Sequence, residues 1–203
     1  RTAHPESGFP FPEARMTASP SARTETAPPP QPELHSIQLT INGAAHALQV
    51  SVTPDKPQYI AGINVTPKKQ LHAGDSYGYR FESLERTVVY STDSEHRLDD
   101  PAEHDEFVAF FAKADLVIFD AMYSLAEAVS VKADWGHSSN VVGVELCQAA
   151  SARRLVLFHH EPVHDDKQLA RLVAETRRLE QITRGSRAPL EIISAYDGLT
   201  IPL

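Results

Sequence analysis

Apolar and polar positions begin to alternate near residue 36. Residues 36–42 (SIQLTIN) and 47–52 show a period of two, which predicts strands. Residues 59–65 suit a third strand, and residues 77–82 and 87–90 flank a short polar turn as a hairpin would. The pattern then changes. Asp100-Pro101-Ala102-Glu103 has the form of a helix start, with Asp100 as cap, Pro101 at the first helical position and Glu103 placed for a capping box. Phe107, Val108, Phe110 and Phe111 supply that helix with an apolar face. Residues 116–119 (LVIF) and 155–158 (LVLF) are short continuous apolar runs, the texture of buried strands. Helices are predicted over 140–150 and 166–182, and a last strand over 190–193. The first half therefore reads as strands, and the second as alternating strand and helix, an α/β pattern.

Composition separates off the N-terminal end. Eight of the 15 prolines fall in residues 1–35, including Pro28-Pro29-Pro30, so this stretch is expected to be a linker, with residues 36–203 as the domain. The short Gly8-Phe9-Pro10-Phe11 stretch is apolar enough to dock on that domain. The chain begins with Arg1, as a trimmed or partial product would. No apolar run approaches the ~20 residues of a membrane span, and none near the N-terminus resembles a signal segment. A net charge of −8 argues against a general nucleic-acid partner. The single cysteine, Cys147, excludes an internal disulfide framework and points to the cytoplasm.

Candidate chemistry collects where strands end. Residues 87–96 (TVVYSTDSEH) close a strand on Asp93 and His96, residues 155–162 (LVLFHHEP) close another on His159 and His160, and residues 116–120 close a third on Asp120. Imidazole and carboxylate are the donors that Zn, Mn or Fe accept. In residues 134–140 (DWGHSSN), His137 lies just before a helix N-terminus that Ser138, Ser139 or Asn140 can cap, where an imidazole can donate a proton or meet a phosphate. His72 stands in LHAGDSYGYR ahead of a strand. The plain alternative for each is a capped turn or polar loop. Cys147 and Trp135 read as packing residues, and His164-Asp165-Asp166 as a helix cap.

In order along the chain, LHAGDSYGYR, VVYSTDSEH, ADLVIFDAMYS, DWGHSS, RLVLFHHEPVHDD and AYDGLTIPL resemble the C-terminal portion of a metallo-β-lactamase-fold hydrolase, in the branch of ribonuclease Z-like and phosphodiesterase-like enzymes. The resemblance implies an αββα sandwich, incomplete at its N-terminus. It implies divalent metal, zinc first with Mn or Fe as alternatives, as one ion or a pair. His72, Asp93 and His159 would be metal ligands, with Asp93 shared between the two ions. His137 would be catalytic together with Asp93, and Ser138, Asp120 and Tyr123 would line the substrate. The family's first metal motif, His-x-His-x-Asp-His, has no clear counterpart ahead of Gly8: Thr2, His4 and Pro5 fall on three of its positions. His4 and His160 are the substitutes considered as additional ligands.

Three readings follow. The first is a metal-dependent hydrolase of phosphodiester-type or related small esters. The second is a catalytically impaired relative that acts as a binding or assembly module. The third is a metal-independent binder of phosphate esters built on His137. The missing N-terminal strands predict an open sheet edge, which a second copy or a partner chain would cover.

Overall fold

A computed structural model describes residues 34–41, 44–60, 62–97, 100–124 and 136–203. The Pro-rich stretch, His4, Gly8–Phe11 and Trp135 lie outside them. Nine strands and three helices occur among the described residues: β1 Leu34–Ile41, β2 Ala44–Ser51, β3 Gln58–Ile60, β4 Ile63–Gln70, β5 Ser76–Glu82, β6 Thr87–Ser91, α1 Pro101–Phe111, β7 Leu116–Asp120, α2 Asn140–Ala149, β8 Arg154–Phe158, α3 Asp166–Thr183 and β9 Glu191–Ser194. β1 and β2 form an antiparallel pair, and β3 to β9 form one seven-stranded sheet in sequence order. β3 to β6 run antiparallel and β6 to β9 parallel, so the sheet changes character where the helical connections begin.

The apolar runs of the sequence become the centre of this sheet. Val89, Val117, Phe119, Leu155, Leu157 and Ile192 alternate along four adjacent strands and form one core with Phe107, Phe110 and Phe111 of α1, Val142, Val144, Leu146 and Cys147 of α2, and Val173 of α3. The helices thus cover one face of the sheet. Gly143 lets α2 come close to β7, since a Cβ there would lie 2.8 Å from Phe119 Cδ1. This is the α/β architecture of the metallo-β-lactamase fold, seen here as an α layer and the large sheet it covers. Among the described residues no helix is long and apolar enough to cross a membrane.

The helix signals hold, with one change. Asp100 accepts from the Ala102 and Glu103 N–H groups, Ser139 caps α2 through Val142 N–H, and Asp165 forms a capping box with Gln168 at α3. Glu103 does not complete a box with Asp100; its carboxylate accepts the Arg97 N–H at 3.1 Å and ties the preceding loop to α1.

The expected third strand is two strands with a turn between them, and β4 runs on to Gln70 through Pro67-Lys68-Lys69. Pro67 is tolerated because its carbonyl accepts from Asp55 N–H, on the side away from β5, so the donor it lacks is not needed by the β4–β5 ladder. Lys68 is buried because its ammonium reaches Glu106 at 3.0 Å and Asp55 at 3.6 Å and lies over the Phe107 ring.

Candidate metal and catalytic site

The carboxyl ends of β4, β6, β7 and β8 lie at one end of the sheet, because β4 and β6 run in the same direction and β6 to β8 are parallel. In parallel sheets this is the end where functional residues gather. His72 follows β4, Asp93 follows β6, Asp120 ends β7 and His159 follows β8. His137 arrives from the loop before α2. Tyr123 N–H donates to the Ser138 carbonyl and Asn140 N–H to the Tyr123 carbonyl, stitching that loop to the end of β7.

The side chains converge. His159 Nε2 lies 3.2 Å from Asp93 Oδ1, and His72 Nε2 lies 3.9 Å from the same oxygen. The His137 ring centroid is 5.1 Å from that of His72 and 4.9 Å from that of His159. Asp93 and His159 both have left-handed backbone, with φ of 55° and 56°. Held at non-glycine residues, that conformation costs on the order of 1–3 kcal/mol and marks places where chain direction matters more than local comfort.

Neighbouring groups set the imidazoles. The Ala73 carbonyl, 2.9 Å from His72 Nδ1, can only accept, so Nδ1 donates to it and Nε2 is the ring nitrogen turned towards Asp93. Gly136 has a φ of 84°, and a Cβ there would lie 2.8 Å from His72 Cδ2, so only glycine lets the loop pass this ring. The Gly136 N–H in turn donates to Glu95 Oε2 at 3.1 Å. Gln70, buried at the end of β4, donates to the Thr92 carbonyl at 2.7 Å and accepts from Ser91 Oγ, fixing the turn that carries Asp93.

Asp120 is fully buried. Its Oδ2 takes His137 Nδ1 at 2.9 Å and the Ser94 N–H at 3.2 Å, and its Oδ1 takes the Met122 N–H at 3.2 Å. Burial pushes this carboxyl above the usual carboxylate range, against the pull of His137 and the two amides. The sequence reading named both residues but missed this pairing; a carboxylate closing a continuously apolar strand was the available signal.

Among the described residues, two sets of three donors could hold a cation: His72, Asp93 and His137, and Asp120, His137 and His159, each with ligand atoms within 4.8 Å of one another. Ligand atoms about 2.0–2.1 Å from one tetrahedral zinc stand roughly 3.3 Å apart. The 3.2 and 3.9 Å separations around Asp93 Oδ1 are of that order for each imidazole taken with Asp93, but His72 and His159 share neither set, so the donors fit divalent metal with Asp93 between the two imidazoles rather than all three around one ion.

The other named residues fall around this cluster. Ser138 is buried, with no hydrogen-bond partner for its Oγ among the described residues. Tyr123 is buried with its ring 6.1 Å from that of His137. His160 turns to β9, where its Nε2 lies 3.4 Å from Ser194 Oγ, and belongs to neither donor set. His96 packs between Phe107 and Phe119, with ring centroids 4.3 and 5.3 Å away. Part of the residue touches solvent, but both ring nitrogens are shut off from it and have no partner among the described residues, and burial lowers its pKa to about 3.

A family model described as a beta-lactamase superfamily domain matches residues 14–160. Among solved structures, the metallo-beta-lactamase fold protein YhfI from Bacillus subtilis is similar at 23% identity and a TM-score of 0.58, over 74% of this chain and 54% of that one. The short form of human tRNase Z matches at 20% identity and a TM-score of 0.47, over 71% of this chain and 45% of that one. The chain thus spans about half the length of these proteins. No curated protein matches it.

Proposed function

We propose, from the premise that this chain belongs to the beta-lactamase superfamily, that it serves as a metal-dependent hydrolase of phosphodiester-type or related small esters. The observation that carries this reading is the meeting of His72, Asp93, His137 and His159 at the carboxyl ends of the strands, with Asp120 behind His137. His72, Asp93 and His159 would hold metal, His72 and His159 each sharing an ion with Asp93 rather than with one another. Zinc suits this donor set, and Mn and Fe take the same donors. When bound, such an ion supplies a Lewis acid for the ester oxygen and lowers the pKa of a water.

The chain's own residues do the rest. Asp120, ionised, can only accept from His137 Nδ1, so it fixes the tautomer and orients the ring. His137 Nε2 is then the atom that would take the proton released by the attacking water and pass it to the departing ester oxygen, a role typically worth 10²- to 10⁴-fold in rate. Ser138 and Tyr123 shape the wall beside it.

One observation favours a second reading. Both three-donor sets are completed by His137, the imidazole that proton transfer needs. If His137 is a full-time ligand, the chain is a metal-holding binding module. Hydrolysis of bis(4-nitrophenyl) phosphate by zinc-supplied protein separates the two: turnover abolished by chelator supports the hydrolase, and bound metal without turnover supports the module.

A further inference from the structure

A cleft of about 390 Å³ opens beside His72 and Asp93, with His35, Tyr77 and Tyr79 among its walls; neither Asp120 nor His137 lines it. Its far wall comes from the β1–β2 pair, outside the main sheet. That pair is pinned in place. Gln58 at the start of β3 binds the Ser51 N–H and carbonyl, and Val50 is buried in a small core with Val65 and Tyr79. His35 is directly opposite Val50 in the β1–β2 register, so the two share a face, the one turned towards Tyr79. His35 Nδ1 accordingly lies 3.3 Å from Tyr79 Oη, and its ring meets Tyr77 edge to face, with centroids 5.7 Å apart at 88°.

We propose that this cleft is a subsite for a flat ring on the retained part of the substrate, with His35 and Tyr77 as its recognition walls. The inference rests on the hydrolase reading, since it deepens that same site. The leaving group belongs on the His137 side, where its oxygen can take a proton. The part of the ester that remains on the phosphoryl or acyl centre extends the other way, past Asp93 and His72. His35 and Tyr77, both half-buried, border it with aromatic rings, backed by the buried Tyr79, and such walls favour another ring over an alkyl chain. The volume is within the range of small-molecule pockets, with room for a substituted ring. An aryl ester and a nucleoside ester share this chemistry.

The test is calorimetric titration of the zinc-supplied full chain with methyl phosphate, phenyl phosphate and thymidine 5′-monophosphate. The ring-bearing compounds should bind on the order of fivefold to tenfold more tightly than methyl phosphate. His35→Ala and Tyr77→Ala should remove that preference, and Tyr77→Phe, which keeps the ring, should retain it. A stronger response to thymidine 5′-monophosphate identifies a nucleoside source, and equal or stronger binding of phenyl phosphate a simple aryl ester. Equal affinities for all three compounds, no binding of any, or a ring preference that survives both alanine variants overturns the subsite. Absence of turnover alongside an intact, His35-dependent ring preference instead removes the hydrolase reading and leaves the subsite standing.

Discussion

Asp120 and His137 are joined through 2.9 Å although 17 positions separate them, and the carboxylate is wholly buried while the imidazole reaches the cluster around Asp93. The pair makes an orienting role for Asp120 testable. Asp120→Asn can place its amide N–H against His137 and favour the wrong tautomer. It should lower kcat on a 4-nitrophenyl ester by about 10²- to 10⁴-fold, by analogy with carboxylate-to-amide changes behind catalytic imidazoles. Metal content should persist, because His72, Asp93 and His159 are untouched. Unchanged kcat would leave Asp120 a purely structural residue.

Gly136 should tolerate no side chain. Gly136→Ala meets both the positive φ and the 2.8 Å approach to His72. Displaced supports of ligating histidines typically cost 10- to 100-fold in metal affinity. Competition with a chromogenic chelator should show a loss of about that size, with the fold retained by circular dichroism. Wild-type affinity in the variant would mean that the loop gives way and His72 does not.

Acid stability should depend on His96. Its pKa is about 3 in the folded chain against 6.5 unfolded. Above pH 6.5 both states are neutral and the residue adds no pH dependence. As pH falls below 6.5 the unfolded chain takes up a proton that the folded chain refuses, so stability falls, by up to about 1.4 kcal/mol per pH unit, until pH nears 3. His96→Phe, set between Phe107 and Phe119, should flatten this slope. Urea midpoints from pH 7 to pH 4 check it: parallel curves for the two proteins would show that other groups carry the acid response.

The sequence reveals the second half of the chain best. Continuous runs such as LVIF and LVLF announce central strands even though Phe158 stays partly exposed, and Asp100, Ser139 and Asp165 act within four residues of their own position. β4 was hidden because its signal is long-range: Lys68 looks like a solvated charge until Glu106, 38 residues on, is brought to it. The site divides in the same way. His72, Asp93, His137 and His159 were visible as polar residues beside strands and helix starts. The Asp120–His137 bond and the approach of His35 to Tyr79 arise only when separate elements meet, and no local pattern encodes them.

The central claim is that this chain holds a divalent metal through His72, Asp93 and His159. Elemental mass spectrometry on protein purified without chelator, repeated for Asp93→Ala, tests it most directly. The account predicts about one to two zinc-class ions per chain in the wild type and a large loss in the variant, since the carboxylate common to both imidazoles is gone. Metal near zero in the wild type after zinc is supplied, or equal metal in both proteins, would contradict it.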